Sequence, residues 1–208
     1  MYHWSKMSGK LIGIPALNTD TTSNKFCIKM KDTDTICKVC YSWNMLQTFR
    51  KSAVPSFRRN SKFLSAEVHD PKYLLPVSSI VARFNGHGEL INEDHFINIM
   101  NICKNQPNTT FTLWTKRRGI VNKVCRTKKI PSNLIMVYSN PVVDTIMKQV
   151  PKHFDKVFNN VSNDSDKVNC KGKCIDCMMC YTIGNKTQQI VEVIKWLKNT
   201  KERNLKNC

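Results

Sequence analysis

The chain has 208 residues, of which 41% are hydrophobic and 9% aromatic, so it is long enough and apolar enough to fold and is not a disordered chain. Its 33 Lys and Arg residues outnumber 15 Asp and Glu residues and give a formal net charge of +18, which favours polyanions as partners. No apolar run approaches the roughly 20 residues of a membrane-spanning helix, and the first residues do not resemble a signal peptide.

These features predict a single-domain cytoplasmic protein that contacts no membrane and keeps its thiols reduced. Nucleic acid or nucleotide phosphates are the expected polyanions. The alternative is that lysine is simply the common surface residue of this chain, in which case the charge identifies no partner. The chain has 10 cysteines, and in a reducing compartment closely spaced cysteines hold zinc or iron–sulfur clusters more often than they form disulfides.

The N-terminal part, residues 1–78, is predicted to contain loops, two helices and three cysteines. Residues 1–26 are rich in Gly, Thr, Asp and Asn, which indicates an ordered loop or a short edge element. Helices are predicted over residues 42–51 and 56–68, with Pro55 between them. The N-terminal cysteine group precedes these helices and consists of Cys27, Cys37 and Cys40. Basic residues on the helices are candidate nucleic-acid contacts, unless they form only a solvated face: Arg50, Lys51, Arg58, Arg59 and Lys62.

The middle part, residues 79–160, alternates between strand-like and helix-like patterns. Short β-branched or aromatic runs predict strands at residues 79–84, 109–115, 133–138 and 154–158. The spacing of apolar residues predicts helices at residues 93–104, 120–125 and 143–147, the first of them capped by Asn92. Strands separated by helices need crossover connections. We therefore predict an α/β fold whose parallel sheet is built from βα units in the manner of a partial barrel.

The C-terminal part, residues 161–208, begins with a second set of cysteines. The C-terminal cysteine group has the spacing C-x3-C-x2-C-x2-C and consists of Cys170, Cys174, Cys177 and Cys180. Both groups end in the phrase Cys-x2-Cys-Tyr, which suggests that they meet. We expect the C-terminal group to be the lid of a site shared with the N-terminal group. An amphipathic helix is predicted after it, over residues 187–204.

Metal binding is the expected role of both cysteine groups. Three cysteines at such spacings commonly hold three corners of a [4Fe–4S] cluster, so we predict one or two clusters bound by these seven cysteines. The alternative is a four-cysteine zinc site that combines Cys37 and Cys40 with two cysteines of the C-terminal group. Seven cysteines exceed the needs of one zinc ion or one cluster, which favours iron–sulfur.

Polar residues follow the predicted strands at the point where each strand ends, which is where parallel sheets bind ligands. The first strand is followed by Gly-His-Gly-Glu at residues 86–89, the second by Lys116 and Arg117, and the third by a Ser-Asn pair. We predict a site here in which His87 and Glu89 position a cofactor or move protons. Lys116 and Arg117 are expected to bind phosphate, and Lys116 to take part in catalysis. An ordinary hydrogen-bonded turn is the alternative.

Several phrases are distinctive in combination, and they lie at residues 8–19, 24–27, 37–41, 83–90 and 111–116. Together with the Cys-Tyr that ends the C-terminal cysteine group, they resemble a family of bacteriophage proteins of unsettled function that is named after a mycobacteriophage gene product. The resemblance covers roughly residues 5–182. It implies a phage gene that is expressed in the cytoplasm of an infected bacterial host, and it brings no known reaction.

The N-terminal cysteine group and the turn at residues 86–89 are also similar, in their order, to the cofactor sites of radical S-adenosylmethionine enzymes. In that family, a three-cysteine loop holds a [4Fe–4S] cluster with one open iron, and a Gly-Gly-Glu-type turn binds the methionine part of the cofactor. Here the spacing is C-x9-C-x2-C instead of C-x3-C-x2-C, and His87 stands in place of a glycine. The resemblance implies that S-adenosylmethionine is a cofactor and that Cys27, Cys37 and Cys40 hold the cluster.

Two functions are open at this point. The first is an iron–sulfur enzyme that acts on nucleic acid or a nucleotide at the strand ends. The second is a non-enzymatic module in which zinc or a cluster only stabilises a small core, while the basic surface binds nucleic acid or a host protein. Three cysteine ligands on a cluster favour the enzyme, and complete four-cysteine coordination favours the module.

Overall fold

Seven strands form one sheet, and their order in space follows their order in the chain. The computed structural model describes residues 1–194. The strands are β1 Trp4–Ser5, β2 Ala16–Leu17, β3 Val81–Phe84, β4 Thr110–Thr115, β5 Leu134–Val143, β6 Lys156–Val161 and β7 Gln189–Val193. β1 pairs with β2 in the antiparallel sense, and each later pair of neighbours is parallel.

Helices connect or flank these strands. The α-helices are α1 Lys25–Lys31, α2 Tyr41–Gln47, α3 Val54–Ala66, α4 Glu93–Lys104, α5 Arg118–Val124 and α6 Cys174–Cys177. Short 3-10 helices lie at Gly9–Leu11, Ile36–Val39, Lys51–Ala53 and Pro71–Tyr73. Within residues 1–194, no helix is both long enough and apolar enough to cross a membrane.

The predicted α/β class with a parallel sheet is confirmed. The four predicted strands correspond to β3, β4, β5 and β6, and the predicted helix at 93–104 is α4. Asn92 caps α4 as expected, because its side chain accepts a hydrogen bond from the backbone nitrogen of His95 at 3.0 Å. Pro55, which was expected between two helices, lies in the first turn of α3, where a missing N–H costs nothing.

One face of the sheet is covered by α3, α4 and α5. Parallel strands that follow one another in space need crossovers of the same hand, which place the connecting helices on the same face. Phe84 of β3 and Phe111 of β4 stack at 5.3 Å between ring centroids, and both are at most 1% exposed. They pack with Leu64, Phe96 and other residues of these helices in the main hydrophobic core.

The opposite face of the sheet, called here the interior face, has its own apolar cluster. Its buried members are Ile14, Val81, Trp114, Ile135, Val137 and Tyr181. The segment that carries the C-terminal cysteine group covers this cluster, with Cys174, Met178 and Cys180 packed against it. The Thr112 hydroxyl of β4 donates a hydrogen bond to the Cys180 carbonyl at 3.1 Å. The C-terminal cysteine group is therefore seated on the sheet itself.

The helix predicted at residues 143–147 is wrong. β5 continues through Pro141 to Val143, with an irregular register against β6. The Asn140 side chain then donates to the Thr145 carbonyl at 2.7 Å. Asp144 has a positive φ of 58°, and its carboxylate accepts a hydrogen bond from the backbone nitrogen of Ser162 at 2.7 Å. These side-chain bonds hold the segment in a turn.

The helix predicted over residues 187–204 is wrong in its first part. Residues 189–193 form β7, which pairs in parallel with β6 in a register that joins Phe158 to Ile190. The apolar residues of this segment are mostly β-branched and fit the edge of a parallel sheet as well as a helix face. The remainder of that predicted helix, from residue 195 onward, lies outside the described residues.

Candidate functional site

The turn after β3 packs tightly against the loop after β2. Gly88 has a positive φ of +88°, and a Cβ there would lie 2.0 Å from the Thr19 hydroxyl oxygen. A Cβ on Gly86 would lie 2.7 Å from the side-chain oxygen of Asn18. Gly88 therefore requires glycine, because the backbone of Thr19 approaches it, whereas Gly86 is crowded by side-chain atoms. This close approach joins the end of β3 to the loop that leads to the N-terminal cysteine group.

His87 is buried in this packing and is 2% exposed. Its Nδ1 lies 2.8 Å from the hydroxyl of Ser42 in α2, and its ring packs against the rings of Tyr41 and Phe57. Burial lowers the pKa of His87 to about 3, so the imidazole is neutral near pH 7. His87 thus ties the turn to the helix that begins directly after Cys40. Its predicted part in moving protons stays a prediction.

Glu89 links the turn to the end of β4. Its carboxylate accepts hydrogen bonds from the backbone nitrogen of Lys116 at 2.8 Å and from the Thr115 hydroxyl. A third comes from the backbone nitrogen of Leu90 at 2.8 Å. Glu89 is 5% exposed, and three donors satisfy much of its capacity as an acceptor. The structure therefore brings Glu89 and Lys116 together, as expected for neighbouring strand ends.

Lys116 connects this carboxylate to the N-terminal cysteine group. Its ammonium donates a hydrogen bond at 2.9 Å to the hydroxyl of Ser139, which directly follows the last residue of β5 that pairs with β4. Burial acts to lower the pKa of Lys116, but the negative charges of Glu89 and of the neighbouring cysteines in their ionised form outweigh it, and the pKa is raised. These cysteines are Cys37, Cys40 and Cys27. Lys116 therefore lies within electrostatic range of three thiol groups and a carboxylate, and it is the centre of the candidate site.

The three cysteines are held near Lys116 by short, capped elements. The Asn24 side chain caps α1 by accepting from the backbone nitrogens of Phe26 and Cys27, and it donates to the Glu89 carbonyl at 3.0 Å. Thr35 caps the 3-10 helix that carries Cys37. Burial raises the pKa of the Cys27 thiol, and the negative charge of Glu89 raises it further. A free thiol is therefore protonated here, and a bound cation is needed to stabilise the thiolate.

The predicted phosphate-binding residues are divided between two places. Arg117 lies at the site, where its guanidinium donates to the Leu90 carbonyl at 3.2 Å and stacks 4.7 Å from the centroid of the Phe26 ring. Arg50 donates to the Ser8 hydroxyl. Arg58 and Arg59 are exposed on α3, and Arg58 pairs with the buried carboxylate of Asp20 at 2.9 Å. The structure does not bring these two residues to the strand-end site.

The C-terminal cysteine group lines a separate cavity on the interior face. All four of its cysteines surround this cavity together with Lys10, and no cysteine of the N-terminal group lines it. The Lys10 ammonium lies 2.9 Å from the Cys170 sulfur and forms an ion pair with Glu192 at 2.6 Å. Burial raises the pKa of the Cys180 thiol to about 12. The C-terminal cysteine group thus has charged neighbours of its own, and its expected role as the lid of a shared site stays a prediction.

Arg83 interacts with a tyrosine next to each cysteine group, and the sequence reasoning missed it. Its guanidinium carbon is 3.8 Å from the centroid of the Trp114 ring. It interacts electrostatically with the hydroxyls of Tyr181 and Tyr41, and these tyrosines directly follow Cys180 and Cys40. The repeated Cys-Tyr phrase was a usable signal, because both tyrosines converge on this arginine. Its Nε is buried, and it has no hydrogen-bond partner in the described part of the chain.

Neither cysteine group has the geometry of a loaded metal site. Across residues 1–194, no three His, Cys, Asp or Glu side chains are arranged so that they could hold one metal ion. The chemistry of the donor sets still fits soft metals, because thiols lie together on short loops beside Lys116 in one group and Lys10 in the other. The structure thus assembles both donor sets and leaves their occupancy as a prediction.

One family is similar to this chain. The family model described as Gene product 88 matches residues 5–182, a range that contains both cysteine groups and the strand-end residues. No curated protein and no solved structure shows significant similarity to the chain.

Proposed function

The chain belongs to the Gene product 88 family of phage proteins, and we propose that it is an iron–sulfur enzyme that acts on nucleic acid or a nucleotide. Its reaction centre is at the carboxyl ends of β3, β4 and β5, and it works in the cytoplasm of the infected bacterial host. The observation that carries this proposal is the position of Lys116 among the thiols of Cys27, Cys37 and Cys40 and the carboxylate of Glu89. Parallel sheets bind their ligands at this edge.

Cys27, Cys37 and Cys40 are the residues that would hold a [4Fe–4S] cluster. Their thiolates are the soft ligands that iron–sulfur clusters use, and three of them leave one iron without a protein ligand. When bound, the cluster supplies one-electron transfer next to that open position, where S-adenosylmethionine or the substrate would bind. Zinc is the other metal that suits this ligand set, and it too would keep one open position.

The chain's own residues then have distinct tasks. The Lys116 ammonium attracts a phosphate or carboxylate of the bound molecule to the strand ends. Glu89 fixes the backbone of Lys116 and supplies a negative charge beside it. His87 is neutral and buried, and it holds the turn against α2. Arg117 is next to Lys116 in the chain and adds a second cation at this edge.

A nucleic-acid substrate is supported by the charge around the N-terminal cysteine group. Residues 21–66 contain nine Lys or Arg residues and two Asp residues. Two aromatic side chains in this segment are open to solvent, since Phe49 is 70% exposed and Tyr41 is 42% exposed. Cations beside exposed aromatic rings are typical of surfaces that bind single-stranded nucleic acid, in which the bases stack on the rings.

A second candidate function is a non-enzymatic module that binds nucleic acid or a host protein. It is favoured by the C-terminal cysteine group, whose segment packs on Trp114 and Ile135 of the interior face. A metal there would stabilise the fold without meeting a substrate. In that case the strand-end residues have only a structural role, which is to hold neighbouring segments of the chain together.

Purification without oxygen, followed by iron, sulfide and zinc analysis, distinguishes the two functions. We expect about four iron and four sulfide per chain, a visible absorption band, and an electron paramagnetic resonance signal that changes when S-adenosylmethionine is added. The double variant C37S/C40S should lose this iron, whereas C125S, outside both cysteine groups, should keep it. A colourless protein without iron would exclude the iron–sulfur enzyme and leave the module.

A further inference from the structure

We propose that the C-terminal cysteine group binds a single zinc-type ion of its own, in a closed structural site. Cys170, Cys174, Cys177 and Cys180 are its four ligands. Lys10 is a positioning residue that donates a hydrogen bond to the Cys170 thiolate. This inference concerns a second site and stands whether or not the N-terminal cysteine group holds a cluster.

The neighbours of the two groups show that they are separate sites. The four C-terminal cysteines line one cavity that no N-terminal cysteine reaches. The charged neighbours of the C-terminal group are Lys10, Glu192, Arg83 and Lys156. The N-terminal group has Lys116 and Glu89 instead. The different charged partners of Cys27 and Cys37 favour two separate metal centres over one shared centre.

The number of cysteines that line this one cavity suits a single ion. Four thiolates around one zinc ion form a complete tetrahedral site with no open position. The C-terminal group has this number of ligands within 11 residues of chain.

The surrounding charges suit such a site. A divalent ion with four thiolates carries two net negative charges, which need nearby cations. Lys10 donates to the Cys170 sulfur at 2.9 Å, and Arg83 acts electrostatically on Cys174. The Lys156 ammonium, which is 2% exposed, acts on Cys180 in the same way. Hydrogen bonds from such residues orient metal ligands and strengthen their binding.

The location of the group indicates what the ion does. Cys174, Cys180 and Tyr181 pack on the interior face, and α6 is a helix of only four residues that cannot be stable alone. An ion held by residues 170–180 would fix this segment on the sheet. The free energy of metal binding would then contribute directly to the stability of the fold.

Metal analysis of matched variants tests the separate site. The wild-type chain is produced with both iron and zinc supplied, purified without oxygen, and compared with C174S/C177S and C37S/C40S. We expect about one zinc per chain in the wild type, loss of zinc but not of any iron in C174S/C177S, and retention of zinc in C37S/C40S. Loss of iron from C174S/C177S, or of zinc from C37S/C40S, would overturn the proposal. If the wild type holds no iron, and its zinc is kept in C37S/C40S and lost in C174S/C177S, the proposed enzyme fails and this site stands.

The variant K10M gives a test that keeps all four ligands. Transfer of zinc from the folded protein to a coloured chelator should be about 10-fold faster than from the wild type, as is typical when an outer hydrogen bond to a metal ligand is removed. K171M is the matched control, because Lys171 lines the same cavity but pairs with Asp164 at 3.4 Å. Equal rates for K10M and the wild type, or a wild type that holds no zinc, would contradict the proposal.

Discussion

The carboxylate of Glu89 accepts a hydrogen bond of 2.8 Å from the backbone nitrogen of Lys116. This bond joins the turn after β3 to the end of β4, at the edge where the thiols of the N-terminal cysteine group also lie. Glu89 is the acidic residue of this turn. Its carboxylate stabilises the packing of the two strand ends and also places a negative charge beside Lys116. Substitutions at Glu89 therefore have two measurable consequences.

The first prediction concerns the removal of this carboxylate. E89A leaves the backbone nitrogens of Lys116 and Leu90 and the Thr115 hydroxyl without their acceptor. Each buried unsatisfied donor costs about 1–3 kcal/mol, so we expect the free energy of unfolding to fall by at least about 2 kcal/mol in urea titrations. E89Q keeps one acceptor oxygen and should lose less. If E89A were as stable as the wild type, the role of Glu89 in joining the two strand ends would be wrong.

The second prediction concerns Gly88. G88A should be strongly destabilised or unfolded, because its Cβ would lie 2.0 Å from the Thr19 hydroxyl oxygen and 2.5 Å from the Thr19 carbonyl oxygen. Thermal unfolding measures the effect. G119A is the matched control, since within residues 1–194 no atom other than those of its chain neighbours and of the backbone of α5 lies within 4 Å of the Cβ position, and alanine should stabilise a helix by roughly 0.5–1 kcal/mol relative to glycine. A G88A protein with an unchanged melting temperature would show that the turn can shift away from Thr19.

The third prediction is a dependence of stability on pH. Burial lowers the pKa of His87 to about 3, whereas an unfolded histidine titrates near 6.5. The unfolded chain therefore binds the proton first, so this contribution to stability is complete above about pH 6.5 and is lost as the pH falls towards 3, by at most about 1.4 kcal/mol per pH unit. H87F retains a ring between Tyr41 and Phe57. Its unfolding should take up about one proton less than that of the wild type between pH 3 and 6.5, so its free energy of unfolding should depend less steeply on pH. His95, whose pKa burial also lowers to about 3, gives the comparison H95F.

The outcome for His87 also bears on its function. A buried, neutral histidine bonded to Ser42 should contribute to stability and should not set the pH optimum of a reaction. An activity profile that loses a titration between pH 5 and 8 in H87F, with no change in H95F, would assign His87 to proton transfer after all.

The sequence predicted the centre of the fold well and its edges poorly. β3 to β6 lie in short buried runs rich in β-branched and aromatic residues. Such runs are typical of the strands of a buried parallel sheet. β1 and β2 contain two residues each, which is too short for any periodic pattern. In β7 and directly after it, Ile190, Val193 and Ile194 fit helical spacing as well as an extended strand. Pairing with β6 decided between the two, and it is a contact between segments distant in the chain.

The sequence predicted where the strand-end residues of the candidate site lie. It did not predict that the C-terminal cysteine group lines a cavity of its own. The three strand ends meet because parallel strands share one edge, so Glu89, Lys116 and Ser139 were brought together as expected. The repeated Cys-Tyr phrase suggested one shared metal centre. In the structure both tyrosines interact with Arg83, and the C-terminal cysteines line a cavity that contains no cysteine of the N-terminal group. The spacing of cysteines along the chain does not show which face of the sheet the C-terminal cysteine group covers.

The fourth prediction concerns the basic surface beside the N-terminal cysteine group. K25A/K29A removes two exposed charges of α1 and should weaken binding to single-stranded oligonucleotides of every sequence alike. The slope of log K against log salt should become smaller by about 0.7 for each phosphate that no longer meets a lysine. K128A/K129A removes two exposed charges that follow α5 and should change neither quantity. Equal effects of the two pairs would mean that only the net charge of the protein matters.

The last prediction separates stacking from charge on the same surface. F49A removes a side chain that is 70% exposed, so the fold should lose almost nothing while oligonucleotide binding falls by about 1–3 kcal/mol, the usual effect of losing one base stacked on an aromatic ring. The salt slope should stay unchanged, because no cation is removed. Y73A is the control, since Tyr73 is 59% exposed but follows α3 and lies outside the basic segment at residues 21–66. Fluorescence anisotropy with a labelled oligonucleotide measures both variants. If F49A and Y73A bind alike, Phe49 is not a stacking platform, and phosphate contacts alone account for the affinity.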